Sequence, residues 1–302
     1  MPFYSYLFRM RFFRLVLILL GLASLSLTTR GGELATRGSF LFTGGGHKLT
    51  VWHYRPAGAA ADAPVLFVIH GVGRNAEEYL NDWVALAEQK KIWLVVPEFS
   101  KTEFPGEEAF NSGNLFDATG QPVPRAQWSY SMIEPIFDAV RQQLGSQRND
   151  YLIYGHSAGA QFVQRFLYFI PEARVTRLVA ANAGWYMLPE LTTPFPYGLK
   201  GTVLNAAALR TAFARPLVVL LGEADIDPQH KSLRHTPEAD AQGLYRFARG
   251  HYFFAHAQAV AVALKVPFNW TLATVPNVEH SNKGMAPAAL QHLLPLSGFY
   301  LN

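Results

Sequence analysis

At 302 residues, half of them hydrophobic and 16% charged, the chain has the composition of a folded protein with a large core, not of a disordered one. It has no cysteine, which excludes a disulfide framework, a thiolate metal site and a cysteine nucleophile. The net charge is +4, but residues 1–29 carry Arg9, Arg11 and Arg14 and no acid, so three of the four charges sit there and no basic stripe remains to bind nucleic acid.

Those arginines precede an apolar run from Leu15 to Leu27. A basic start and a run of this length read as a secretory signal over residues 1–29. Left uncleaved, the same segment would attach the protein to a membrane through residues 9–27. The protein is therefore expected to be exported, periplasmic or secreted, or else membrane-anchored, with one domain over residues 35–302. The glycines at Gly31, Gly32 and Gly44–Gly46 read as linker and turns.

From about residue 49, short apolar runs alternate with helical patterns. The runs cover residues 65–69, 93–96, 151–154, 178–181, 216–221 and 270–275, and their continuous apolar character suits parallel strands buried on both faces. Asn75 with Glu78 reads as a capping box for a helix whose Leu80, Trp83, Val84 and Ala87 share one face. Ser131 with Glu134 repeats the signal ahead of Ile133, Ile136, Phe137, Val140 and Leu144, with Gly145 as the stop. Further helices are expected over residues 158–169, ended by Pro171, over 239–264, and near 287–294. The alternation predicts an α/β domain with a mostly parallel central sheet and helices on both faces. Two long connections, residues 100–127 and 184–214, are rich in Gly, Pro and aromatics and read as a lid or pocket walls. Trp128, Trp185 and Tyr186 are the aromatic residues expected to line a substrate pocket there.

The segment YLIYGHSAGAQF sets Gly155-His156-Ser157-Ala158-Gly159 between a strand and a helix. This is the G-x-S-x-G nucleophile elbow: a serine on a sharp turn, glycines that let strand and helix backbones approach, and a helix N-terminus behind a developing oxyanion. With that elbow, followed in order by Asp225 and His280, the body of the chain resembles the α/β-hydrolase superfamily. The resemblance implies Ser157 as nucleophile. It also implies an acid after a late strand, here in PLVVLLGEADID, where the G-x-x-D spacing favours Asp225 over Asp227. His280 in VPNVEHS, after the last predicted strand, would be the base. In VLFVIHGVGRN the family pattern makes the Val72 N–H one oxyanion donor and the Ala158 N–H the other, with His70, Gly71 and Gly73 supporting the loop. Ser157 would attack an acyl carbonyl, His280 would take its proton and water would release the acyl group, with no metal or organic cofactor.

Within the superfamily the motifs look closest to exported esterases of the polyhydroxyalkanoate-depolymerase and feruloyl-esterase branch, although the cysteines many of those carry are missing. The expected substrate is a small-molecule carboxylic ester. Another triad enzyme on the same fold, a peptidase or an acyl transferase, is the alternative, and a non-catalytic binding protein is the third reading. His230 and His235 have the wrong spacing for a metal pair on a helix. The sequon Asn269-Trp270-Thr271 falls in a predicted buried strand and is read as structural.

Overall fold

The computed structural model describes residues 36–294. The signal or anchor read into residues 1–29 lies outside them. Among the described residues no helix is long and apolar enough to cross a membrane.

The first two strands depart from the expected pattern. β1 (Arg37–Gly44) and β2 (His47–Tyr54) form an antiparallel hairpin, with Gly44 opposite His47. The turn is Gly45-Gly46, φ +58° and +85°, the two positive values that a tight two-residue hairpin turn needs. A stretch read partly as linker is thus a pair of strands. Their residues alternate between less and more exposed positions, exposed and half-buried in β1, so they lack the continuous apolar runs of the interior strands.

β3 (Val65–Ile69), β4 (Trp93–Glu98), β5 (Tyr151–His156), β6 (Val175–Ala181), β7 (Leu217–Gly222) and β8 (Trp270–Val275) follow as a parallel set. The sheet order is β1-β2-β4-β3-β5-β6-β7-β8. In β3, Val65, Phe67 and Ile69 face one core and Leu66 and Val68 the other. That is why the run is apolar at every position. On the second face lie α1 (Ala76–Lys90), with Leu80, Trp83 and Ala87, and α8 (Asn282–Leu293), with Met285, Ala289 and Leu290. The first face is covered by α3 (Ile133–Leu144), α4 (Ala158–Phe169) and α7 (Arg246–Ala263), bringing Phe137, Phe162, Phe166 and Phe253 into the core. Each such side chain, fully buried, contributes about 1.5–3 kcal/mol by its transfer from water.

Several local expectations are corrected. Neither capping box forms: Asn75 Nδ2 donates to Glu78 Oε2, and Ser131 Oγ donates to the Arg125 carbonyl while Glu134 accepts from Tyr151 and Arg174. The predicted helix 239–264 is two helices, the short α6 (Pro237–Asp240) and α7. Thr236 caps α6, and Gly243 at φ +142° turns the chain between them. β8 is an edge strand, so the expected buried site of Asn269 is open: its side chain is exposed and donates to the Ala214 carbonyl.

The two long connections pack over α4. One contains α2 (Gly106–Ala109) and the 3₁₀ turn Arg125–Gln127, with a second such turn, Ser129–Met132, just after it; the other leads into α5 (Ala206–Ala214). Every residue of α4 is buried, polar ones included. Gln161 Nε2 donates to the Trp185 carbonyl, Gln164 Nε2 to that of Met187, and Arg165 to that of Asn111. The apolar face of Phe162, Val163, Phe166 and Leu167 is only the half that meets the sheet.

Candidate active site

β5 runs directly into Ser157, whose backbone sits at φ +60° and ψ −119°. Holding a residue with a side chain there costs about 1–3 kcal/mol, so its surroundings must over-determine it. They do so sterically. A Cβ on Gly155 would fall on the Gly159 carbonyl oxygen, and one on Gly159 would fall on that of Ile69. Hydrogen bonds complete the turn: Ser157 N–H donates to Ala181 O, and Ala160 N–H and Gln161 N–H donate to Ser157 O.

The late strands bring the other two groups to the serine. Ala224 N–H donates to Val278 O at 3.0 Å, so the loop after β8 lies along the turn after β7. Asn182, at the end of β6, joins both: its Oδ1 accepts from Gly222 N–H and its Nδ2 donates to Glu279 O. Immediately after His280, Ser281 Oγ caps α8 by accepting from Gly284 N–H. His280 Nε2 thereby lies 3.0 Å from Ser157 Oγ and its Nδ1 lies 2.7 Å from Asp225 Oδ2. With Nδ1–H donating to the carboxylate, Nε2 is free to accept the serine proton. Asp225 is buried, whereas Asp227 is exposed and accepts from Gln229 N–H.

Burial holds His280 below the usual histidine range. Asp225 opposes that shift, while the positive Arg246 and the neighbouring His230 reinforce it. His156, inside the elbow, is buried 4.6 Å from the His280 ring centre to centre and faces Tyr79 Oη at 3.1 Å. Burial keeps it neutral, well below the ordinary value. On the opposing loop His70 is buried too. It accepts from Phe99 N–H at Nε2, so its Nδ1–H donates to Gly71 O at 3.0 Å. Burial depresses its pKa to about 3, which fixes it as a neutral brace under Gly71 and Val72.

Two openings meet at Ser157. One, of about 440 Å³, is walled by Gly71, Gly73, Glu78, Asp82, His280 and Lys283. The other, of about 420 Å³, is walled by Glu107, Asn111, Gln161, Trp185, Lys231 and Arg234. Val72, Ser157 and Ser232 border both. Ala158 borders the second and opens α4, where the first N–H groups have no partner within the helix. Val72 and Ala158 thus border the same opening as Ser157.

Of the three aromatic residues expected in a pocket, only Trp185 reaches this site. It is packed between Arg165 and Arg234, whose guanidinium carbons lie 4.4 and 4.9 Å from its ring centre. Trp128 instead packs edge-on against Phe169 with its indole N–H donating to Val123 O, and Tyr186 stacks on Phe253 at 4.4 Å. Both are core residues, because the segments they begin or end fold inward over α4. The site also contains residues that sequence reasoning missed. Arg246, His230 and Ser232 gather beside Asp225, and Tyr79 reaches His156. Their sole sequence trace is charge or polarity where a helix or loop should be apolar or open. Among the described residues no group of three or more His, Asp or Glu side chains has the arrangement to hold a metal ion.

No protein-family model and no curated protein matches the chain. Solved structures do. Poly(aspartic acid) hydrolase-1 from Sphingomonas sp. KT-1 is 45% identical, with a TM-score of 0.83, over 85% of this chain and 98% of its own. LpqC, a poly(3-hydroxybutyrate) depolymerase from Bordetella parapertussis, is 32% identical, with a TM-score of 0.82, over 87% of this chain and 93% of its own. An S-formylglutathione hydrolase from Agrobacterium tumefaciens, at 16% identity and a TM-score of 0.57, shares the fold. Sheet order, elbow and these two relatives agree: the chain belongs to the α/β-hydrolase superfamily and is an enzyme of the hydrolase class.

Proposed function

We propose that the protein hydrolyses a carboxylic ester through an acyl-enzyme on Ser157, with His280 as general base and Asp225 as the acid that orients it. The observation that carries this reading is the unbroken run from Ser157 Oγ to His280 Nε2 at 3.0 Å and from His280 Nδ1 to Asp225 Oδ2 at 2.7 Å. His280 takes the hydroxyl proton as Ser157 Oγ bonds to the acyl carbon, and the oxyanion is held by the Val72 and Ala158 N–H groups. A donor of this kind contributes about 3–4 kcal/mol to the transition state. His280 then returns the proton to the departing alkoxide, and water repeats the sequence to free the acid. The depressed basicity of His280 keeps its ring neutral, as a base must be, at pH 7.

A second reading is favoured by two observations: Lys231 and Arg234 on the wall beside Ser157, and the 45% identity to a poly(aspartic acid) hydrolase. On that reading the scissile bond is an amide within an anionic polymer. Residues 1–29 we read as an export signal, tested by N-terminal sequencing of the exported protein.

Labelling with a fluorophosphonate, wild type beside Ser157→Ala, tests the nucleophile. Short and long p-nitrophenyl esters, poly(3-hydroxybutyrate) and poly(aspartic acid) then separate the substrate classes. Labelling confined to the wild type, with ester turnover, is expected. Turnover of poly(aspartic acid) alone would replace the ester reading, and an unlabelled, folded wild type would remove Ser157 from the chemistry.

A further inference from the structure

The carboxylate of Asp225 has two oxygens, and only Oδ2 is taken by His280. The other faces a second charge. Arg246, the first residue of α7 and only 1% exposed, brings Nη1 to 3.2 Å from Asp225 Oδ1. Its Nη2 donates to His230 Nδ1 at 3.1 Å and to Ser232 Oγ at 3.0 Å. Ser232 borders both openings at Ser157, so a single planar fork ties the acid to the wall the substrate would meet. Phe247 N–H donates to the Asp225 carbonyl, fixing the same helix end to the same residue through the backbone.

We propose that Arg246 is a positioning residue for the hydrolysis: its guanidinium locks the free oxygen of Asp225, sets the charge felt by His280, and holds Ser232 at the rim of the site. The inference rests on the Ser157, His280 and Asp225 reading above. With one partner on each oxygen, the carboxylate cannot turn about its bond without breaking a charge-assisted contact. Burying such a pair adds little net stability relative to an apolar pair of the same volume, but removing one partner alone leaves a buried charge uncompensated, so the role is read from kinetics on folded variants.

The groups around the imidazole give the direction. Asp225 faces His280 from the turn after β7, Arg246 from α7, His230 from the loop before α6, and His156 from the end of β5. Glu78, Asp82 and Lys283 line the opening beside it, and Asp227 acts on Arg246 from outside. Arg246 disfavours the imidazolium that Asp225 favours. Burial is the largest cause of the lowered basicity of His280, and Arg246 adds to it, so the pair holds the ring firmly while the arginine offsets part of the carboxylate's pull on the proton.

The test is the pH dependence of kcat/KM on a p-nitrophenyl ester for wild type, Arg246→Gln and Arg246→Lys, each with its circular dichroism spectrum. Loss of the charge in Arg246→Gln is expected to move the acidic limb up by about one pH unit. Arg246→Lys is expected to keep the limb in place while kcat falls about tenfold at nearly unchanged KM, because a point charge replaces the fork. A folded glutamine variant with an unmoved limb overturns the proposal, as does a lysine variant with wild-type kcat. Should the glutamine variant not fold, the lysine variant decides alone. Fluorophosphonate labelling of the wild type separates the two levels. A labelled wild type with an unmoved limb defeats Arg246 only, whereas an unlabelled one defeats the triad.

Discussion

The elbow and the acid turn sit at the C-terminal ends of β5 and β7, with β6 between them, yet they hold their groups by different physics. Ser157 is held by shape: a positive φ, glycines on both sides, and carbonyls where side chains would otherwise be. Asp225 is held by charge and hydrogen bonds, between His280 and a buried arginine that arrives from 21 residues along the chain. A device made of shape needs particular small residues at fixed offsets, and it leaves a motif. A device made of charge needs only an opposite partner from anywhere in the fold, and it leaves none.

Replacing the acid should show the larger effect. Asp225→Asn keeps the volume but presents an amide to His280, which disfavours the productive tautomer; kcat is expected to fall by about 10⁴. Asp227→Asn, at an exposed carboxylate that accepts from Gln229 N–H and acts on Arg246 only from outside, is expected to leave kcat within about twofold, in keeping with the small effects of ordinary surface substitutions. Equal losses in the two variants would show the acid to have been misassigned.

On the shape-held side the effect should appear in stability first. Gly159→Ala puts a methyl onto the Ile69 carbonyl oxygen, backbone against backbone, with no flexible neighbour to give way. A loss of about 3 kcal/mol is expected, seen as a Tm lowered by about 5–10 °C. An unchanged Tm would mean that helix and strand can separate at the elbow without penalty.

The smallest effect sharpens the comparison through pH. His70 and His156 are buried as neutral rings, with folded-state pKa values below the usual 6.5 and, for His70, about 3. The unfolded chain binds protons that the folded one does not. Their contribution is therefore fully present above about pH 6.5 and is lost progressively as pH falls toward 3, by at most about 1.4 kcal/mol per pH unit for each ring. His70→Gln should flatten the fall of Tm between pH 6.5 and 4; a slope as steep as wild type would place the acid sensitivity elsewhere.

How much of this was readable beforehand follows the same division. The parallel strands β3 to β7, the elbow and the helix behind it could be read because burial on both faces forces continuous apolar runs and because the turn demands glycine. The order Ser157, Asp225, His280 could be read only by resemblance to a family, since neither the aspartate nor the histidine carries a local signature. The β1–β2 hairpin was missed because a half-exposed strand alternates, and its Gly45-Gly46 turn looks like any flexible link. The break between α6 and α7 was hidden in a long apolar stretch, and with it the inward turn of Arg246. Trp128 and Tyr186 look like pocket residues in sequence because aromatics line cores and pockets alike.

The complete burial of α4 carries a consequence for motion. A helix whose outer face is pinned by the segments near Asn111, Trp185 and Met187 has no side open to water from which to fray. Its amide hydrogens should exchange with deuterated solvent only through the largest opening the domain undergoes, alongside those of β3 and β5, while the edge strands β1 and β8 exchange early. The elbow that carries Ser157 would then be among the last parts of the molecule to open, whereas His280, on the loop after the edge strand β8, would be displaced earlier, so that reactivity would be lost before the elbow itself unfolds.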